Sequence, residues 1–278
     1  MVHTTTNDAK SWYDNLEVNE FFLNACGDEF NHIGIYEDPN NIQTGGLRAT
    51  QELLSGIEFK VPGSSMSKRV LDIGSGYGGT ARYLADLFGC SVDCVNVSTL
   101  QNTVNQRKND EQKLNHLIQI FEADFAQLPF ADATYDVVIA QDCLLDAVSK
   151  ERVFREVHRV LKPQGLFVMS DLTRRDESEV VRAAILQRKW GLGEIVSTQS
   201  YLSLGYAVGF QLIRYNDFSE NLAIGYADDV DAWADASRQM QTLSQERRQF
   251  EQQVFQSWCD AGKAGYLCLS YFRFRKIE

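Results

Sequence analysis

Apolar and polar positions along the chain switch between two periods. Short, nearly continuous apolar runs at 70–73, 91–97, 117–122, 135–140 and 166–170 read as buried strands. Helical spacing fills the gaps. Ala81, Leu84, Ala85, Leu87 and Phe88 mark one face of a helix after the first run. Val153, Phe154, Val157, Val160 and Leu161 mark another over 151–161, stopped by Lys162-Pro163-Gln164-Gly165. Strands that alternate with helices predict a parallel sheet covered on both faces. The alternation breaks at 173–206. A sixth strand follows from Gly209-Phe210 to about 215, then a mostly helical 218–261 and a strong last strand at 266–274.

Residues 1–62 follow a different pattern. An amphipathic stretch over 11–25 precedes the aromatic, glycine-bearing run Asn31-His32-Ile33-Gly34-Ile35-Tyr36, a polar loop at 38–41 and a helix over 44–54. The segment is too long for a tail and too poor in glycine and proline for a linker. It reads as a helical lid, or substrate cap, over the main domain at 63–278, in which 173–206 is an insertion.

The first strand runs into three alternate glycines: Val70-Leu71-Asp72-Ile73-Gly74-Ser75-Gly76-Tyr77-Gly78-Gly79. Strand, glycine turn and helix open a Rossmann-like unit, in which the turn needs backbone angles closed to side chains and a ligand needs bare main chain. A dinucleotide turn is spaced G-x-G-x-x-G and brings phosphate to a helix N-terminus. Here an acid precedes G-x-G-x-G, and a carboxylate there repels phosphate but suits an ammonium group. Acids or amides recur at the predicted strand ends: Asp72, Asn96, Asp124, Asp142 and Asp171. In a parallel sheet those ends share one crevice. Asn96 stands where an acid usually takes ribose hydroxyls, and Ser98, Gln101 and Asn102 follow it.

Charge narrows the partners. The net charge of −11 over 278 residues argues against a nucleic-acid or anionic-membrane partner and leaves a small molecule. No apolar run reaches a membrane span of about 20 residues. The N-terminus lacks the apolar core of a signal peptide. Six cysteines form no Cys-x-x-Cys and sit in no histidine cluster, so buried thiols in a reducing cytoplasm are expected and a metal is not. The stretch with Arg174, Arg175, Arg182, Arg188, Lys189 and Trp190 is the most basic of this acidic chain. It reads as a second lid carrying a substrate clamp, or as a solvated helix face. A helical stretch with Trp233 and Trp258 leaves room for a homodimer.

The glycine turn, Leu128-Pro129-Phe130, Tyr135-Asp136-Val137-Val138 and Val160-Leu161-Lys162-Pro163 together resemble a class I S-adenosylmethionine (SAM) methyltransferase. Tyr13-Asp14, His32-Ile33-Gly34-Ile35-Tyr36, Phe88-Gly89-Cys90, Asn96-Val97-Ser98 and Gln141-Asp142 are similar to the sarcosine/dimethylglycine N-methyltransferases, which make glycine betaine. The resemblance implies a seven-stranded, mostly parallel sheet with an antiparallel last strand. It implies SAM as cofactor, held by Asp72, Gly74, Gly76 and Gly78 at its methionine part, by Asn96, Val97 and Gln101 at the ribose, and by Asp124 and Phe125 at the adenine. Tyr13 would close over the methionine end, and Gln141 and Asp142 would lie beside the methyl. For the acceptor, His32 is a candidate proton acceptor. Tyr36, Trp190, Asp142 and Tyr13 are candidates to stabilise positive charge, and Arg188 to grip a carboxylate. Two departures touch the substrate side. Asp146 stands where the family commonly has histidine, and Cys26-Gly27-Asp28-Glu29-Phe30-Asn31 replaces a Trp-Gly-Gly-Glu-Asp run. Phosphobase, sterol or natural-product methylation and an inactive SAM-binding regulator are the alternatives.

Overall fold

The computed structural model describes residues 5–25, 29–35, 42–61, 63, 65–175, 193–222 and 244–278. Its centre is a seven-stranded sheet built from β1 (Arg69–Ile73), β2 (Ser91–Asn96), β3 (Ile118–Glu122), β4 (Tyr135–Gln141), β5 (Leu161–Arg174), β6 (Phe210–Asp217) and β7 (Leu267–Lys276). The spatial order is β3-β2-β1-β4-β5-β7-β6. Strands β1 to β5 pair in parallel, and β7 runs antiparallel between β5 and β6. This is the expected Rossmann-like α/β sheet with its last strand reversed.

Period-two alternation on the strands explains the two packed faces. Val70, Val92, Val137, Ile139 and Val168 face one core with Ala81, Leu84 and Ala85 of α4 (Gly79–Phe88). Leu71, Ile73, Val138, Ala140, Phe167 and Met169 face the other with Val153, Phe154, Val157 and Val160 of α6 (Lys150–Val160). Phe154 sits against Phe167, Phe210 and Phe274 there. Buried apolar side chains of this size each contribute about 1.5–3 kcal/mol. The second face also carries Tyr201 of the helix Thr198–Ala207.

The fifth strand exceeds the predicted 166–170 at both ends. Its pairing with β7 continues to Arg174↔Leu267, and Leu161 already pairs with Tyr135, so neighbours on both sides sustain it. The Lys162-Pro163-Gln164-Gly165 stop is a kink with Gln164 at φ 63. The predicted insertion therefore begins as strand and ends as helix. Arg182, Arg188, Lys189, Trp190, Tyr36 and Trp233 lie outside the described residues.

Strand order reverses between β1 and β4, which opens a crevice at the strand ends. The N-terminal segment covers it. Helix α1 (Thr6–Tyr13) is tied across the tips of β2 and β3 by Lys10, whose ammonium donates to Val97 O at 2.9 Å, Thr99 Oγ1 at 2.7 Å and Glu122 Oε1 at 2.8 Å. Asp14 accepts from Ser98 Oγ at 2.8 Å and from the Leu100 N–H at 3.1 Å. Helices α2 (Leu16–Ala25) and α3 (Ile42–Leu54) flank the strap 29–35. No helix among the described residues is long and apolar enough to cross a membrane.

Candidate active site

The crevice holds a cavity of about 330 Å³. Its walls include Tyr13, Gly74, Gly76, Asn96, Val97, Gln101, Asp124, Phe125, Gln141, Asp142 and Asp146, all singled out from the sequence. Asp72 and His32 sit beside it in a smaller adjoining pocket.

Asp72 is 3 % exposed, and its Oδ2 has no hydrogen-bond partner. Burial pushes its carboxyl up to about 7, against the opposing pull of the Arg82 guanidinium. An orphaned buried acid is costly unless something arrives to pair with it. The turn beside it is open where a ligand needs it: Gly76 has φ 52, and a Cβ built on it would meet only Asn31, at 3.8 Å. Gly78 lies elsewhere. At φ 80, a Cβ built on it would collide with the Asn105 amide, so backbone angle and packing alone call for glycine there.

The β2 tip presents Asn96, whose Nδ2 donates to Gln101 Oε1 at 2.9 Å. Ser98 is spent as the N-cap of α5 (Thr99–Glu111), accepting the Gln101 N–H at 3.1 Å. Past β3, Asp124 accepts the Ala126 N–H at 2.8 Å and the Thr6 hydroxyl at 2.6 Å.

The β4 tip is tied on every side. Asp142 is left-handed at φ 49, a conformation that aspartate tolerates better than most residues. Its Oδ2 accepts the Ile33 N–H at 2.7 Å, and its Oδ1 accepts the Ser170 hydroxyl at 2.6 Å. Gln141 Oε1 accepts the Thr80 hydroxyl, and Gln141 Nε2 lies 3.2 Å from His32 Nε2. The amide donates, so that ring nitrogen accepts, a tautomer assigned from the network. Burial lowers the His32 pKa despite Asp142 nearby, consistent with a neutral ring. His32 was expected to take a proton from an acceptor. Its Nε2 lone pair is instead used by Gln141, and the ring lies behind Gln141, outside the walls of the main cavity. Tyr13 donates to Asp146 Oδ2 at 2.8 Å, which closes the same end. Burial, and after it Asp146, raise the Tyr13 pKa well above its usual value. Tyr36, Arg188 and Trp190 have no described position.

Several residues that shape the site were missed. Arg82 is 3 % exposed and donates to Tyr77 O at 2.6 Å, Asn105 Oδ1 at 3.0 Å and Glu29 Oε2 at 2.6 Å, which pins the strap to the turn. An arginine on the buried side of an apolar helical stripe was the available signal. Thr6, Thr50 and Thr80 left no pattern to read.

The wall matches a nucleoside bearing an amino-acid arm. An ammonium group would complete Asp72, an uncluttered turn would take the arm, and the polar tips of β2 and β3 would take a ribose and a base. Acids at the tips of β1, β3 and β4 disfavour a pyrophosphate there. Sheet and site together define a SAM-dependent methyltransferase of Rossmann-like fold.

Comparison with known proteins makes the class narrower. Residues 71–169 match the methyltransferase domain family. The chain is 32% identical over 271 residues to the sarcosine/dimethylglycine N-methyltransferase of Aphanothece halophytica, covering 96% of each. It is 29% identical to the glycine/sarcosine/dimethylglycine N-methyltransferase of Actinopolyspora halophila, of which it spans 47%. A solved structure provisionally named a sarcosine dimethylglycine methyltransferase, from Galdieria sulphuraria, superposes with a TM-score of 0.84 at 29% identity, over 95% of this chain and 98% of that one. Likeness to the phosphoethanolamine N-methyltransferase of Plasmodium falciparum covers 74% of this chain, and to a sterol 24-C-methyltransferase of Gibberella zeae 54%. The chain belongs to the sarcosine/dimethylglycine N-methyltransferase family.

Proposed function

We propose that the protein methylates the nitrogen of a small amino-acid acceptor of the sarcosine/dimethylglycine type. The observation that carries this reading is the reach of the likeness. It runs through the lid, strap and final strand for the sarcosine/dimethylglycine enzyme, and over a smaller share of this chain for the phosphobase and sterol enzymes. The segments beyond the shared domain at 71–169 are those that cover the crevice.

In this reading Asp72 holds the cofactor's ammonium group, Gly76 lets its amino-acid arm lie against main chain, and Gly74, where a Cβ would meet Cys143 at 2.5 Å, keeps the turn close to the β4 tip along the same wall. Asn96, steadied by Gln101, takes ribose hydroxyls. Asp124 faces the adenine amino group, between Val97 and Phe125. When bound, SAM would supply a methyl carbon activated by the positive charge on its sulfur, which would leave with the C–S electron pair. The chain's own contribution is alignment and exclusion of water, which can lower a barrier by about 7–11 kcal/mol. Helix α1 and the strap close the crevice. Tyr13, Asp142 and Asp146 present electron-rich groups to the cationic end. His32 fixes Gln141 and takes no proton. Arg188 as carboxylate clamp, with Tyr36 and Trp190 around the acceptor, remains the sequence's proposal for the remaining wall.

Labelled SAM offered with glycine, sarcosine, dimethylglycine, phosphoethanolamine and a sterol tests the reading. Label is expected in sarcosine, dimethylglycine or both. Label only in phosphoethanolamine or sterol would overturn it.

A further inference from the structure

Tyr13 and Asp146 come from opposite ends of the site. Tyr13 closes α1, and Asp146 ends the short 3-10 turn Leu144–Asp146 after β4. Both line the cavity, and their hydroxyl–carboxylate bond is 2.8 Å long. An ionised carboxylate only accepts hydrogen bonds. The Tyr13 proton is therefore committed to Asp146, and toward the cavity the phenol oxygen has only lone pairs to offer. An oxygen in that state can hold an N–H and cannot serve a nitrogen lone pair.

We infer that Asp146 is a positioning residue that turns Tyr13 into a hydrogen-bond acceptor for the N–H of the methyl acceptor, so the site favours amines that still carry an N–H over those that do not. This rests on the N-methyltransferase reading above and adds a direction to it. A secondary amine that donates its N–H to Tyr13 has its lone pair held away from that oxygen and free to attack. A neutral tertiary amine has no N–H and gains nothing from the pair. Sarcosine therefore benefits and dimethylglycine does not.

Among the described residues, the titratable and charged groups that act on Asp146 include Tyr13 from α1, Cys143 beyond the tip of β4, Asp171 from β5 and Lys150 from α6, with Glu194 beyond Lys150. Arg152 lines the same cavity. Lys150 is the buried basic side chain in this set.

The test is the ratio of kcat/KM for sarcosine to that for dimethylglycine, because effects on SAM cancel in it. Tyr13→Phe should lower the ratio roughly three- to tenfold. Asp146→Asn keeps an acceptor oxygen and should fall between parent and Tyr13→Phe. Asp146→His should add a pH limb, its ratio falling as pH drops through about 6.5, because imidazolium can only donate and would turn the Tyr13 hydroxyl toward the cavity. The parent ratio should show no such limb. The two Asp146 variants carry the test should Tyr13→Phe not fold, which thermal unfolding reports. Methyl transfer to both amines with one ratio in all variants overturns the inference alone. No transfer to either amine by the parent overturns the N-methyltransferase reading, and the inference with it.

Discussion

The ends of β1 and β4 are neighbours in the sheet, and each carries an aspartate in opposite circumstances, Asp72 buried and Asp142 half-buried. Asp142 has both oxygens taken by protein donors, the Ile33 N–H and the Ser170 hydroxyl. Asp72 has a buried oxygen with no hydrogen-bond partner. One acid is spent on holding the strap to the sheet. The other is kept at a cost to the fold. An acid that closes a site can be satisfied by the chain itself, whereas Asp72 keeps an oxygen that a charged ligand group could satisfy.

The largest effect that could break this contrast lies in stability against pH. The folded-state pKa of Asp72, about 7, is above the ordinary 3.8 because of burial. The folded state therefore binds more protons than the unfolded one between about pH 4 and 7, and stability falls as pH rises through that window. The SAM-free protein should lose up to about 4 kcal/mol from this group. Asp72→Asn should remove that slope and leave the variant more stable than the parent at pH 8, as chemical denaturation would show. A variant less stable at pH 8 would mean that Asp72 already has a partner in the fold.

A smaller effect is expected at β4. Asn at 142 can keep the Ile33 N–H on its oxygen and turn its NH2 to the Ser170 hydroxyl, which then accepts, so two charge-assisted hydrogen bonds become neutral ones. Asp142→Asn should cost about 1–3 kcal/mol in denaturation, the opposite sign to Asp72→Asn above pH 7. Equal stability of the Asp142 variant and the parent would erase the contrast from the other side.

The half of the site around β1 and β2 was legible in the sequence because its chemistry is local. Asp72, Gly74, Gly76 and Asn96 are at or just past the strand ends that position them, so hydrophobic period and glycine spacing were enough. The closing half was legible only as a list of candidates. Thr6 meets Asp124, Ile33 meets Asp142 and Tyr13 meets Asp146 across 118, 109 and 133 residues of chain. No periodicity encodes such pairs. The surroundings of His32 were hidden for the same reason: its type suggested a base, and its Nε2 lies 3.2 Å from both the Gln141 amide and the Thr50 hydroxyl, brought from distant parts of the chain. The extra length of β5 was likewise hidden, because it depends on β7, the last strand of the chain.

Calorimetric titration with SAM at pH 7, in buffers of different ionisation heat, asks the central question directly. If Asp72 is the acid that receives the cofactor's ammonium, binding should release roughly half a proton from it in the parent. Asp72→Asn should bind roughly 10- to 100-fold more weakly and lack that release. Equal affinity and an equal proton count in parent and variant would contradict the account.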